Sequence, residues 1–367
     1  METAPDTLEL ESLAKRDAVI ESPWGIFWKR LRRQRVALIG GIILILLYLA
    51  ALFAGFIAPY GYERQDRERF FHPPTALRFQ GVHLAVRHYE PAPGSSKYKP
   101  VPGELTPLHF FVTAEKYNLL GFIPARVHLF GTDDANHPVY LLGTDQYGRD
   151  IFSRLLFGSQ ISLSIGLIGI VIRFSLGLVI GGISGYFGGA TDTVIMRFTE
   201  LIMSIPALYL IMSLRATFPA NLSSTNLYLL MIAILSLIGW ASTARVIRGM
   251  ALSLRERQYV LAARTLGLSN WRIVTRHILP GTFSYLIVAA TLSVPYFILG
   301  EVVLSFLGVG IQEPDASWGI MLNAAQNPDY LTQYPWLLAP GAAIFITVLA
   351  FNFLGDGLRD AVDTKSG

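Results

Sequence analysis

The sequence contains no cysteine, which excludes disulfides, thiolate metal sites and cysteine nucleophiles and leaves the redox compartment open. Charge is also scarce. Only 15% of the 367 residues are charged, against 52% hydrophobic, and the mean hydropathy is positive, a balance outside the range of soluble globular domains. No Gly-Lys dipeptide occurs anywhere. A phosphate-binding loop needs Gly-Lys followed by Ser or Thr, so ATP chemistry is not expected of this chain. The net charge of +4 is modest, and the basic residues fall in blocks, which reads as membrane orientation and not as a nucleic-acid face. No cleavable leader is expected either: the first hydrophobic run begins near Val36 and outlasts a signal core, so it should stay as an anchor.

What is present is a series of apolar runs. A helix crosses the hydrocarbon core with about 20 apolar residues, because each backbone amide must find its partner inside the segment. Windows 37–58, 161–187, 194–214, 227–244, 281–300 and 337–354 qualify. Pro206 and Pro295 should kink the third and fifth. The third is the least clean, because Arg197, Glu200 and Arg215 flank or enter it.

Lys and Arg in tails and short loops set direction. Lys15, Arg16, Lys29, Arg30, Arg32, Arg33 and Arg35 precede the first window, and Arg245, Arg248, Arg255, Arg257, Arg264, Arg272 and Arg276 follow the fourth. The loops 215–226 and 301–336 carry no Lys or Arg beyond Arg215. Both termini are therefore expected in the cytoplasm. The long segment between the first two windows is expected outside, with some strand content, since it is too long for a simple connector.

The stretch YVLAARTLGLSNWRIVTRHILP, Tyr259 to Pro280, lies between the fourth and fifth windows. Val260, Ala263, Leu266, Trp271, Val274 and Ile278 recur at three to four residues, which predicts two short amphipathic helices. Gly267 interrupts the phase and can take the left-handed conformation that ends one helix, while Ser269 can cap the next. A basic helix lying on anionic lipid and a helical hairpin docking into a partner's groove both fit this pattern.

Ala262, Ala263, Gly267, the nine residues to Arg276, and then His277, Ile278, Leu279 and Pro280 resemble the EAA loop of the membrane subunits of bacterial ABC importers. The Glu of that pattern is replaced by Leu261, and the nearest acid upstream is Glu256. LLGTDQYGRDIFSRLLFGSQISL from Leu141, GEVVLSFLGVGIQEPDASWGIML from Gly300 and FNFLGDGLRDAVD from Phe351 are similar to the C-type permease of dipeptide and oligopeptide importers.

The resemblance implies an all-α integral membrane protein with six transmembrane helices: a five-helix core, one additional N-terminal helix, and an extracytoplasmic insert of mixed structure between helices 1 and 2. It divides the chain into residues 1–60, a cytoplasmic tail and first span; 61–158, the extracytoplasmic segment; 159–357, the transporter domain; and 358–367, a cytoplasmic tail. It also implies a multi-pass location in the bacterial inner membrane. The partners would be a second homologous permease, two ATPase subunits and an extracytoplasmic solute-binding protein, within membrane lipid and without nucleic acid. No cofactor is expected here, ATP being bound by the partner subunits, and no catalysis. Ala262, Ala263, Leu266, Gly267 and Pro280 would seat the loop on an ATPase, with Arg264 and His277 as polar contacts.

Three intramembrane polar residues are candidate pathway groups. Arg173 falls inside the second window, where a charge should face the bundle or water. It would meet a substrate carboxylate or the partner permease, or form a structural ion pair with Glu200 or Glu301. Those two acids would receive a peptide amino terminus, or reach the interface from span ends. Asp145, Arg149 and Asp150 are expected to form a turn and cap a helix, IFSRLLF, lying along the outer membrane surface. Six of the seven histidines lie in the outer segment without standard metal-ligand spacing. Asn221 fits a glycosylation sequon. Peptide import is thus the leading reading. A stand-alone secondary transporter, a membrane scaffold, or an importer of nickel chelates or glycosides are the alternatives.

Overall fold

The computed structural model describes residues 22–80, 83–92, 98–134, 136–219 and 222–363. Lys15, Arg16, Asn221 and the last residues of the tail, from 364, lie outside the described residues. Helix α1, Pro23–Arg33, is basic in its last turn and is followed after Gln34 by α2, Arg35–Leu52. A short α3, Ala54–Ile57, follows α2 after Phe53.

The insert that follows is built from strands. β1 Leu77–Gln80, β2 His83–Pro91 and β3 Tyr98–Pro107 pair antiparallel in that order, with Leu77 opposite Val86 and Val86 opposite Thr106. β4 His109–Leu119 and β5 Ile123–Gly131 form a separate hairpin. Val86, Leu108, Phe130 and Val139 bury a small core that also packs on Phe152. That contact ties the insert to the next helix.

Helix α4 runs unbroken from Ile151 to Phe187, and Asp150 caps it by accepting a bond from Ser153 N at 2.8 Å. The expected separate surface helix IFSRLLF is therefore the first turns of a single long helix, and residue 159 falls inside it. Hydropathy places the start too late because Arg154 and Gln160 dilute the window. Both are satisfied by protein groups: the Gln160 amide donates to Ala51 O at 2.9 Å.

The third window behaves differently. α5 Gly189–Ser204 and α6 Ala207–Ala216 are separated at Ile205, which is extended (φ −88°, ψ 127°). Pro206 lacks an N–H and pushes the residue before it out of the helical region, so the kink expected there is a full break. α7 is Ser224–Leu254. α8 Gln258–Thr265 and α9 Asn270–Ile273 come next, and one wide turn and one tight turn lead into α10 Phe283–Phe306, which runs through Pro295. α11 Trp318–Met321, α12 Pro328–Gln333 and α13 Ala339–Val362 complete the chain. Among the described residues, five helical stretches are long and apolar enough to cross a membrane: Arg35–Leu52, Ile151–Phe187, Ser224–Leu254, Asn270–Phe306 and Pro335–Val362. The broken pair α5–α6 occupies the remaining window.

Small residues set how closely these helices approach. Gly177, Gly181 and Gly185 form one stripe on α4, and a Cβ at these positions would meet the Thr243 side chain, the Ala244 backbone and Ala251 Cβ of α7. Without a hydrophobic drive between helices in lipid, such contact supplies the packing energy. Leu163, Ile165, Leu235, Ile247, Phe297, Ile298 and Trp318 fill the core between α4, α7 and α10. At the opposite end of the bundle from the insert, α1 packs on the end of α13, where Arg30 donates to Asp363 O at 2.8 Å.

Candidate functional site: a two-helix foot and two buried polar clusters

The segment between α7 and α10 folds as a helix, a glycine turn and a second helix. Gly267 has φ +76°. Leu268 N donates to Ala263 O at 3.2 Å and Gly267 N to Arg264 O at 3.1 Å, the paired bonds of a Schellman ending, which requires a left-handed residue after the cap. Ser269 occupies the cap position of α9, but its side chain makes no capping bond.

Val260, Ala263, Ile273 and Ile278 are buried against Ala251, with Tyr186, Leu254 and Leu268 packed around them. The hairpin thus shares its apolar core with the ends of α4 and α7, on which it rests. Tyr186 OH donates to Asn270 Oδ1 at 2.8 Å, and Arg255 donates to Gly185 O at 3.3 Å.

The predicted stripe is correct for Val260, Ala263, Val274 and Ile278, which are buried, and incorrect for Leu266 and Trp271, which are exposed at 80% and 58%. The Gly267 turn rotates the second helix, so a single period drawn across it mixes two faces. Ala262, Arg264, Gly267 and Pro280 are exposed, Ala263 faces inward and His277 is half-buried, its ring 6.5 Å from that of Tyr259. Leu261, where the pattern has Glu, is 44% exposed. Glu256, the nearest acid upstream, is exposed and bound to Arg255 at 3.0 Å. The hairpin therefore presents apolar side chains, chiefly Leu266, at its tip, with Arg257, Arg264, Arg272 and Arg276 exposed around them.

Arg173 is not ion-paired with Glu200 or Glu301. Its guanidinium donates to Thr243 Oγ1 and Ser242 Oγ, each at 3.2 Å, and lies over the rings of Phe174 and Tyr296. Among the described residues no carboxylate lies within salt-bridge range of it. Glu200 is exposed and bound to Arg197 at 2.9 Å. Glu301, expected to reach the interface, is instead fully buried: Ser162 Oγ and Ser305 Oγ each donate to its carboxylate at 2.8 Å. Ser162, its partner on α4, is eleven positions from Arg173, about 16 Å along a helix, which is why the expected pair does not form.

A second cluster joins α4 to the loop before α11. Arg149 Nε donates to Asp145 Oδ2 at 2.7 Å, and its two terminal nitrogens bind the Glu313 carboxylate. Arg154, 1% exposed, reaches the same carboxylate at 3.1 Å and also donates to Tyr62 O, Pro314 O and Asp315 O. Asp145 Oδ1 accepts from the backbone of Tyr147 and Arg149, so the expected turn is present and Asp150 is the cap. Burial raises the Asp150 carboxyl to about 7. Burial also holds His72 neutral, lowering it to about 4, while its ring is 2.7 Å from Pro73 O.

Sequence reasoning missed Arg154 and Glu313, the bidentate Arg248–Asp192 pair at 2.5 to 2.6 Å, and the glycine stripe. The four-residue spacing of Gly177, Gly181 and Gly185 was a readable signal for the stripe. Nothing in the spacing of Arg154 and Glu313 announces their meeting.

Two family profiles match: binding-protein-dependent transport system inner membrane component over residues 177–366, and the N-terminal TM domain of oligopeptide transport permease C over residues 22–74. The chain is 32% identical to the dipeptide transport system permease protein DppC of Bacillus subtilis, over 92% of this chain and 84% of that protein. It is 32% identical to the oligopeptide transport system permease protein OppC of the same organism, over 97% and 93% of the two chains. Identity to the glutathione transport system permease protein GsiD of Pectobacterium atrosepticum is also 32%, over 95% and 94%.

Proposed function

Because the chain belongs to the family of binding-protein-dependent transport system inner membrane components, we propose that it supplies half of a peptide pathway across a bacterial cytoplasmic membrane and that residues 258–280 are the foot on which an ATPase acts. Peptides are the chosen solute class because the relatives named above are dipeptide, oligopeptide and glutathione permeases.

The observation that carries the coupling role is the foot itself. Its two helices share a buried core with the ends of α4 and α7, have a left-handed glycine at the bend, and hold Leu266 almost fully in solvent. A rigid element with an unpartnered apolar tip suits insertion into a groove, where apolar anchors supply most of the affinity. The exposed arginines around it agree with a cytoplasmic position, which puts both termini in the cytoplasm and the β-insert outside. The partners are a second permease, two ATPase subunits and an external solute-binding protein; the ATPases bind and hydrolyse ATP, and this chain is a non-catalytic subunit. In this reading Ala262, Leu266 and Gly267 make the apolar contact, Arg264 and His277 the polar ones, and Ala263 and Pro280 hold the foot in shape. Arg173 is assigned to a carboxylate brought by the substrate or by the second permease.

The test is uptake of labelled peptide by vesicles carrying the whole complex, with ATP supplied on the foot's side. Uptake should require ATP and fall at least tenfold when Gly267 is replaced by Trp. Uptake by this chain alone, driven by an ion gradient, would sink the proposal.

A further inference from the structure

The β4–β5 hairpin has an apolar tip that the transport reading leaves unused. Phe122 is 74% exposed, and Leu120 and Ile123 are exposed beside it. Leu120 (φ +55°) and Gly121 (φ +84°) form the turn. A left-handed pair of this kind favours Asn or Gly at its first position, and a bulky residue rarely adopts it. An apolar side chain is thus held at the tip against the preference of its backbone.

The way the hairpin meets α3 defines its height. The Phe111 ring lies 6.2 Å from that of Phe56, and the Tyr117 ring lies over Gly55 so closely that any side chain there would collide with it. Gly55 and Phe56 are successive helical residues, about 1.5 Å apart along the axis. β4 bulges between Thr113 and Tyr117, and Val112 and Tyr117 lie opposite His128 and Ala125 of β5, so the stretch carrying Phe111 and Tyr117 still spans on the order of 10 Å. The strand therefore crosses the helix end and does not run along it. His128 of β5 fixes the same place, with Nδ1 2.5 Å from Ala58 O.

That place is the edge of the membrane. Counting about 20 residues at 1.5 Å from Arg35 puts the hydrocarbon boundary near residue 55. Leu49, Leu52 and Phe53 of the first span are exposed just below it, a surface that faces lipid in a membrane protein, and Phe56–Phe111 continues it onto the hairpin. Aromatic side chains concentrate at this level.

We propose that the β4–β5 hairpin is a lipid-contacting anchor: it lies in the interface plane at the insert's end of the first span, and Phe111, Leu120 and Phe122 enter the headgroup and upper acyl region. The exposed Lys116 and Arg126 on the same two strands are suited to lipid phosphates. The occupant is phospholipid, since the apolar surface is continuous with that of a membrane span. The anchor holds the insert at a fixed height over the bundle.

The absence of cysteine makes the test clean. Phe122→Cys and Leu120→Cys are labelled singly with a nitroxide in the assembled complex, whose peptide uptake reports intact folding, in phosphatidylethanolamine–phosphatidylglycerol vesicles. Collision with oxygen and with a water-soluble nickel chelate is read by electron paramagnetic resonance. Leu49→Cys serves as the lipid reference and Glu90→Cys as the water reference. The anchor predicts that both tip labels match Leu49, with oxygen contact several-fold above nickel contact. Nickel contact at the Glu90 level would overturn it. So would shielding from both reagents, which would mark a protein neighbour, either the second permease or a binding protein.

Discussion

Ser162 on α4 and Glu301 on α10, 139 positions apart in the chain, meet through a 2.8 Å bond from hydroxyl to carboxylate with both residues fully buried. Each serine that donates to Glu301 also accepts a backbone N–H from the segment beyond α10: Trp318 N at the start of α11 to Ser162 Oγ at 3.2 Å, and Ile311 N in the loop to Ser305 Oγ at 3.0 Å. One carboxylate therefore fastens a loop to two membrane helices through two hydroxyl relays. Removing it leaves buried hydroxyls without an acceptor, at a cost of about 1–3 kcal/mol each. Glu301→Ala should lower the melting temperature of the purified complex substantially and Glu301→Gln less. Equal melting of all three proteins would show the carboxylate to be idle.

Two buried groups on the insert's side of the bundle give stability a pH dependence of opposite sign. The folded Asp150 carboxyl, near 7, is raised above its unfolded value, so its contribution is full below about 4 and is lost as pH rises through 7. His72, lowered to about 4, contributes above its unfolded value of about 6.5, and that contribution is lost as pH falls toward 4. Asp150→Asn retains a capping side chain and should flatten the loss of stability between pH 5 and 7. His72→Gln should flatten the opposite slope between pH 4 and 6.5. Thermal melts of each variant across pH 4–8 would separate the two, and unchanged profiles would count against both assignments.

The foot separates placement from contact. Leu266→Ser, at an exposed tip, should change melting by less than about 0.5 kcal/mol, as surface changes do, while ATP-dependent uptake drops. Gly267→Val forces a β-branched residue into a left-handed position at a cost of about 1–2 kcal/mol, and should impair both. Leu261→Glu restores the acid of the resembled pattern at an exposed site; it should leave stability intact and hold or raise the ATPase stimulation by peptide. A loss of stimulation would mean that the apolar residue has become part of the contact.

Packing of α4 on α7 depends on residues without side chains. A side chain at Gly181 would run into the backbone of Ala244, so Gly181→Leu should destabilise by roughly 1–3 kcal/mol through overpacking. Gly249→Leu, where a Cβ would meet nothing within 4 Å, is the control. Limited proteolysis of the two variants in detergent should give sharply different half-lives.

Arg173 has hydroxyl and ring partners. If it receives a peptide carboxylate, Arg173→Gln should raise the KM for peptides with a free C-terminus and leave C-terminally amidated peptides unaffected. A uniform fall in kcat for both would instead mark a contact with the second permease.

Much of the bundle was legible because its signals are local. Uncharged runs give spans, Asp150 gives a cap and Gly267 gives a turn, each decided within a few residues, whereas at Pro206 only a kink was legible and the structure has a full break. The foot was legible as helix, glycine and helix for the same reason. Its faces were only half legible: Ala262 and Ala263 are adjacent and differ in burial because α7 lies against one side of α8, and no periodicity names the neighbour.

The sequence by itself determined that this is a membrane protein, that the long insert would carry some strand content, and that the basic loop would bend at Gly267, since composition and backbone preference need no partner. Only the tertiary structure decided which charges meet. It paired Arg154 with Glu313 across 159 positions, gave Arg173 hydroxyls in place of an acid, and closed Glu301 inside a ring of serine hydroxyls. The physical reason is that a charge in a low-dielectric interior is satisfied by whichever group the helix packing brings within about 3 Å, and that packing is set by glycine stripes and side-chain volumes far from the charge itself.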